Sequence, residues 1–260
     1  MNPVIVCIAK LESEYIEEFV KYHIAIGFKH IFLYDNEDVP TYNFLLTAYK
    51  EITFIHLPFN NYNVGVQYKA LKHFVDTYLF NSDITHVAHI DIDEFIVLKK
   101  HATISDFIHE YIKDDCQGIG MNWRFFGSSG KTEKSEEPVT VRFTKCQKQG
   151  DIHIKTLFKK DKFLRYGTCH DVVFSEGHTK TTNNTIINGP FNYDIHFDVI
   201  QLNHYKCKTL PEFRKIRTRQ RADIAGPVHE DVDKSFKTFD INEIEELTAC
   251  NYYLKVLQPI

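Results

Sequence analysis

Over its first hundred residues the chain alternates short apolar runs with amphipathic helical stretches, and that alternation leaves few folds open. A strand, a helix and a second strand in succession close most simply as a β-α-β unit in a largely parallel sheet. The apolar runs predict strands over residues 4–9, 30–34, 52–57 and 86–91. Between the first two, Ser13 stands where it would cap a helix whose Ile16, Phe19, Val20 and Ile24 form one apolar face, with Glu14, Glu17 and Glu18 early and Gly27 past its end. After the third strand, Ala70, Leu71, Phe74, Val75, Tyr78 and Leu79 recur at helical spacing. Thr103 and Asp106 form a capping-box pattern for a further helix over 105–113.

From there the pattern turns to strands, expected at 118–123, 139–143, 154–159, 172–174 and 195–202. Two helical patterns close the chain, at 210–222 and 242–257. A polar loop separates the first two of these strands, and its Gly127-Ser128-Ser129-Gly130-Lys131 is flexible by composition. With 260 residues, 21 Phe and 14 Tyr, one large α/β domain with a substantial core is expected. The net charge of −4 gives no general attraction to nucleic acid or anionic membrane. Six cysteines without C-x-x-C spacing predict reduced, mostly buried thiols rather than zinc ligands. No apolar run reaches membrane-spanning length, so no transmembrane segment and a cytoplasmic location are expected.

The fourth strand runs into His89-Ile90-Asp91-Ile92-Asp93-Glu94-Phe95. Alternation along an extended segment aims Asp91 and Asp93 the same way and buries Ile90 and Ile92 opposite. Two hard oxygen donors there suit Mg²⁺ or Mn²⁺, with further positions left for the oxygens of a bound diphosphate. Asp-rich segments after strands also serve as turn-formers and solvated edges. In open α/β sheets ligands bind where the carboxyl ends of strands converge. Here those ends are Ala9 and Lys10, Asp35 and Asn36, and Asp91 with Asp93.

Further short pieces occur in order: Glu14-Tyr15-Ile16-Glu17-Glu18-Phe19 with Tyr22-His23, Gly27, Tyr34-Asp35-Asn36, Gln67, Asp91-Ile92-Asp93-Glu94-Phe95, Trp123-Arg124-Phe125-Phe126-Gly127-Ser128-Ser129-Gly130, and Asn203-His204-Tyr205 with Lys208. Over residues 4–225 they make the chain resemble a family 92 glycosyltransferase, related to the family 2-like glycosyltransferases of the GT-A fold. The resemblance implies a single GT-A-like α/β domain: a Rossmann-like nucleotide-binding sheet to about residue 98, a mixed β acceptor half over about 99–225, and a helical extension over 226–260. It implies metal-dependent transfer, with Mn²⁺ or Mg²⁺, of galactose or a related hexose from a nucleotide-sugar donor, UDP-linked, to a glycan hydroxyl with inversion. On that pattern the nucleotide-binding candidates are Ala9, Lys10, Glu12, Asp35, Asn36, Gln67 and Asp91; the metal candidates are Asp91, Asp93 and His204. Two departures stand out. Lys10-Leu11-Glu12 replaces the usual Lys-Asn-Glu, moving or removing one polar contact, and the membrane anchor of many relatives has no counterpart, as in soluble bacterial or viral members.

Inverting transfer needs a base for the acceptor hydroxyl and positive charge for the departing diphosphate. Asp171, at the mouth of a strand in Cys169-His170-Asp171, is the first candidate base and His170 the next, although either could be a turn residue or could position another group. Glu94 could bind an acceptor hydroxyl or hold its own loop. Trp123, Phe125, Phe126 and Gly127 suggest an aromatic acceptor platform, although aromatic runs are more often core. Lys208 and Arg214 are the diphosphate candidates from the basic stretch 206–221, which could instead be a solvated face or a patch for nucleic acid or anionic lipid. His204 could be a core histidine at a strand end, and His23, between Phe19 and Ile26 on an apolar face, reads as one. The competing functions are a metal-dependent nucleotidyltransferase, which would share the carboxylates without needing an aromatic platform, and a non-catalytic binding module built on the basic helix.

Overall fold

A computed structural model describes residues 1–58, 65–217 and 231–258. In chain order the elements are β1 (Pro3–Ala9), α1 (Ile16–Ala25), β2 (His30–Asp35), β3 (Ile52–His56), α2 (Val66–Phe74), β4 (His86–His89), β5 (Glu94–Leu98), α3 (Ile104–Tyr111), β6 (Cys116–Phe125), α4 (Val139–Arg142), β7 (Lys145–Cys146), β8 (Ile154–Lys159), β9 (Phe163–Tyr166), β10 (Val172–Phe174), β11 (His178–Lys180), β12 (Ile186–Ile187), β13 (Ile200–His204), α5 (Leu210–Arg217), α6 (Val232–Phe239), β14 (Ile244–Glu245) and α7 (Thr248–Tyr252).

One mixed sheet of ten strands organises them, in the order β12-β11-β6-β8-β4-β1-β2-β3, with β13 pairing β5 and β6 off that path. β1 runs parallel to β2 and β4, and β2 parallel to β3, which is the Rossmann-like half that the β-α-β alternation predicts. Direction then reverses: β8 is antiparallel to both β4 and β6. The sheet is therefore continuous from the Rossmann-like half into the mixed half, giving the expected α/β class.

Both faces of β1 are buried, and its alternate residues divide two cores. Ile5 and Cys7 face a large cluster with α1, α3, β5 and β13, while Val4 and Val6 face a smaller one with Ala70, Leu71 and Phe74 of α2 and Phe163 and Val172 of the β9–β10 hairpin. A run buried on both sides is what a central parallel strand requires. The π-turn Val75–Leu79 extends α2, so the helical pattern at 70–79 is found slightly shifted. Gly27 adopts φ +107° just past α1, and the Thr103–Asp106 capping box forms as expected. His23 is a satisfied core histidine: Nδ1–H donates to the Phe19 carbonyl at 2.8 Å and Nε2 accepts the Ile96 N–H at 3.2 Å.

Several elements differ from expectation. The run at 139–143 is a helical turn rather than a strand, because the Glu18 carboxylate of α1 accepts the N–H groups of Val139 and Thr140 at 2.7 and 3.0 Å. A cap supplied across the fold here outweighs the strand preference of Val-Thr-Val. Ser13 does not cap α1, which begins at Ile16 after a Tyr15 that makes no side-chain cap. The strand expected at 195–202 is displaced to Ile200–His204. The closing pattern at 242–257 holds β14, α7 and the π-turn Tyr253–Leu257 rather than one helix. Of the helix expected at 210–222, α5 covers Leu210–Arg217, and 218–222 lies outside the described residues. All six cysteines are free thiols, five of them buried. No helix among the described residues is long and apolar enough to cross a membrane.

Candidate active site

The chain leaves β4 through a tight turn instead of an extended segment. Glu94 N–H donates to the Asp91 carbonyl at 3.0 Å, and Asp91 N–H donates to Glu94 Oε2 at 3.0 Å. The strand thus stops at His89, two residues short of Asp91, and strand alternation does not govern the aspartates. They turn to different partners.

Asp91 is clasped from two sides. Gln67 at the start of α2 donates to its Oδ1 at 3.2 Å, and Lys155 of β8 donates to its Oδ2 at 3.1 Å. Lys155 is fully buried and also stands 3.8 Å from Glu94. Burial pulls an ammonium toward neutrality, but Asp91 and Glu94 outweigh it and raise the Lys155 pKa. Burial likewise pushes the Asp91 pKa up, and Lys155 more than reverses it, so Asp91 is ionised. Glu94, with no exposed surface, is raised well above the usual carboxylate range by burial, which Lys155 only partly offsets. Its Oε1 has no hydrogen-bond partner among the described residues.

Asp93 faces His204 at the end of β13, with Oδ2 3.5 Å from Nε2. Tyr205 N–H also donates to the Asp93 carbonyl at 2.8 Å, so the backbone joins the two segments as well. β13 reaches this place by pairing antiparallel with β5, which sets His204 opposite Glu94, and parallel with β6, which sets it beside Phe125. Burial holds His204 below its ordinary pKa against the pull of Asp93. Its Nδ1 is buried and has no hydrogen-bond partner among the described residues.

Trp123 joins the halves of the site. Its ring lies 4.6 Å from His204 and 5.0 Å from His170, and it stacks on His153 at 5.0 Å. His170 rides on the loop after β9, stapled to the sheet where Thr156 Oγ1 donates to the His170 carbonyl at 3.0 Å and His89 Nδ1–H to the Cys169 carbonyl at 3.2 Å. His170 Nδ1 stands 2.9 Å from the Ile154 carbonyl, which can only accept, so Nδ1 carries the proton and Nε2 the lone pair. Burial, then the nearby Lys155, lowers the His170 pKa to about 4, leaving the ring neutral at pH 7. A cleft of about 770 Å³ between α2 and residues 163–170 connects Gln67, the partner of Asp91, with His170.

The donors suit a divalent cation that shares its shell with a diphosphate. Two atoms each about 2.1 Å from one ion lie roughly 3.0–3.5 Å apart, and the Asp93–His204 separation falls there. Asp91 is bonded to Lys155 and Gln67, and no group of three or more His, Cys, Asp or Glu among the described residues is arranged to hold a metal. Diphosphate oxygens and water would complete the shell, as is usual for ions bound through few carboxylates.

A model described as glycosyltransferase family 92 matches residues 2–248. The chain belongs to that family. No curated protein sequence matches it. Among solved structures, HddC from Yersinia pseudotuberculosis is 12% identical, with 62% of this chain and 77% of that chain covered and a TM-score of 0.34. The galactosyltransferase LgtC, in complex with donor and acceptor sugar analogues, is 13% identical over 61% of this chain and 58% of its own, at a TM-score of 0.31. The 4-diphosphocytidyl-2C-methyl-D-erythritol synthase of Anaerococcus prevotii is 13% identical over 99% of both chains, at 0.30. Likenesses this distant decide nothing about this glycosyltransferase.

Within the family 92 enzyme the remaining candidates divide. The fully buried Asp35 carboxylate accepts the N–H groups of Glu37, Thr41 and Tyr42, so it folds the chain after β2 rather than facing a nucleotide. Asn36 donates its amide to the Leu57 carbonyl at 2.8 Å and its N–H to the Ala9 carbonyl at 2.9 Å. Lys10 remains half-buried 3.9 Å from Asp38, and the buried Glu12 opens α1 by accepting the Tyr15 and Ile16 N–H groups at its carbonyl. Phe126 is core, 4.7 Å from Tyr205. Trp123 and Phe125 are buried and covered by histidines, so the open aromatic platform is replaced by a packing hub.

Gly127 and the loop after it are pinned from the far end of the chain. Ser128 N–H donates to Asp240 and Ser129 N–H to Asn242, both at 2.7 Å, and a Cβ on Gly127 would lie 2.5 Å from Asn242 Oδ1. Among the remaining candidates, the Asp171 carboxylate folds over Gly167 and accepts the Thr168 hydroxyl at 2.6 Å, as a turn residue does. Arg214 points outward to Asp233 at 2.7 Å, both half-exposed, and so is not aimed at a buried diphosphate site. Lys208 fits better: its ammonium is buried 4.5 Å from the Tyr15 ring centre with no hydrogen-bond partner among the described residues, on a backbone strained at φ +53°. Sequence reasoning missed Lys155, whose only signal was a lysine inside the buried strand pattern Ile154-Lys155-Thr156-Leu157-Phe158.

Proposed function

We propose that this glycosyltransferase moves galactose or a related hexose from a UDP-linked donor to a glycan hydroxyl with inversion at the transferred carbon. The observation that carries the reading is the facing pair Asp93 and His204 beside an ionised, immobilised Asp91 at the carboxyl end of β4. Asp91 and Gln67 present hydrogen-bonding groups to the nucleotide at the mouth of the cleft. Asp93 and His204 would hold Mn²⁺ or Mg²⁺, which supplies positive charge against the departing diphosphate, and Lys208 adds a buried ammonium.

His170 is the base in this reading. Its Nδ1–H is fixed on the Ile154 carbonyl, and the Nε2 lone pair takes the proton of the acceptor hydroxyl. That oxygen bonds to the anomeric carbon as the bond from that carbon to the diphosphate oxygen breaks on the opposite face, releasing UDP. The acceptor lies in the cleft lined by Tyr68, Leu71, Phe163, Tyr166 and His170. Incubation with UDP-galactose, Mn²⁺ and a panel of sugar acceptors tests the proposal by nucleotide release and by NMR of the product. A β-linked galactoside from the α-linked donor is expected; an α-linked product would overturn inversion, and transfer only from a GDP or CDP donor would overturn the choice of UDP.

A further inference from the structure

The first aspartate of the pair is bonded to a lysine that lies 64 positions away and exposes no surface. Lys155 enters the middle of the sheet on β8, between β4 and β6, with Ala88 registered opposite Leu157 on one side and Met121 opposite Lys155 on the other. A charge so placed is costly unless it is compensated. Compensation comes from Asp91 at 3.1 Å, with the Glu94 carboxyl 3.8 Å away. The loop bearing His170 is fastened to the neighbouring residues Ile154 and Thr156. One strand thus carries both the lysine that grips Asp91 and the anchors of the candidate base.

Asp91 has a different surrounding from Asp93. Its Oδ2 is taken by an ammonium and its Oδ1 by an amide, yet its side chain keeps 30% of its surface, so an ionised and aimed carboxylate still meets the site. A carboxylate already neutralised by a fixed cation is a poor ligand for a second cation. It remains a good acceptor for neutral hydroxyl groups, such as those of a ribose or a sugar.

We infer that Lys155 is a positioning residue that withdraws Asp91 from metal coordination and fixes it as a hydroxyl acceptor for the donor, leaving Asp93 and His204 as the cation pair. This rests on the nucleotide-sugar reading of the same site. Lys155 acts through Asp91 and touches no reacting atom, so losing the lysine and losing the carboxylate have the same consequence for the donor.

The test is calorimetric binding of UDP, GDP and CDP with Mn²⁺ to the full chain, to Lys155→Met, to Asp91→Asn, and to the double variant, with melting curves to verify folding. Each single variant is expected to weaken nucleotide binding roughly 10- to 100-fold, as loss of a supporting partner usually does, and the double variant to bind no more weakly than Asp91→Asn. If Lys155→Met does not fold, Lys155→Leu, which likewise leaves Asp91 without that donor, is used instead. Unchanged binding by the folded Lys155 variant, or a further tenfold loss when its change is added to Asp91→Asn, overturns the inference while leaving the donor site intact. A native chain that binds none of the three nucleotides defeats the underlying reading, and the inference with it.

Discussion

Replacing Gly127 with alanine separates two accounts of the loop after β6. A Cβ there would lie 2.5 Å from Asn242 Oδ1 and 2.6 Å from the Ile241 carbonyl, whereas ordinary contact begins at 3.4 Å. The segment 240–242 must therefore retreat by about 0.8 Å. That stretches the 2.7 Å bonds from Ser128 N–H to Asp240 and from Ser129 N–H to Asn242 to about 3.5 Å, beyond useful geometry. One bond is to a carboxylate and one to a neutral amide, so together they are worth about 2–4 kcal/mol. The strain also reaches Ser129 Oγ, which accepts the N–H groups of Thr144 and Lys145 at 2.9 Å. Urea unfolding of Gly127→Ala is expected to show a stability lower by that amount, seen as a lowered midpoint with an unchanged slope. A loss below about 0.5 kcal/mol together with a raised KM for acceptor would refute the packing account and restore Gly127 to an acceptor site.

Further predictions concern the base, the diphosphate and pH. His170→Asn is expected to slow transfer by about 10²-fold or more with UDP affinity unchanged, and Asp171→Asn to leave turnover near normal; the reverse ranking in a steady-state assay would return the base to Asp171. Lys208→Met is expected to weaken UDP binding while Arg214→Ala leaves it unaltered, and titration of both variants checks the assignment. His23 and His89, held neutral by burial at pKa values of about 3 against an ordinary 6.5, take up protons in the unfolded chain but not in the folded one between those values. The stability they contribute is fully present above about pH 6.5 and is lost as pH falls toward 3. Urea midpoints measured from pH 7 downward should fall, with the loss reduced in His23→Leu, and a flat profile would contradict the burial.

Local signals were enough for much of this structure. The β-α-β alternation, the Thr103–Asp106 cap and the core role of His23 follow from residues in short, ordered patterns, whereas His204 was drawn toward Asp93 by the family resemblance alone. What escaped depends on partners far away in the chain. Val139 and Thr140 became helical through Glu18, the Gly-Ser loop was pinned by Asp240 and Asn242, and Asp91 was claimed by Lys155. Asp35 is a different lesson, since a carboxylate at a strand end serves the next turn's N–H groups as readily as a ligand. The neighbours Asp171 and His170 differ in where their hydrogen bonds go, the Asp171 carboxylate to the Thr168 hydroxyl and His170 Nδ1 to the Ile154 carbonyl, and the proposal of His170 as base rests on that difference.

Calorimetric titration of the native chain and of Asp93→Asn with UDP, each with and without Mn²⁺, tests the central claim most directly. Binding that requires Mn²⁺ and disappears in the folded Asp93→Asn chain is the predicted result. Equal binding by both chains, or binding indifferent to the cation, would contradict the assignment of Asp93 and His204 as the pair that holds the metal against the diphosphate.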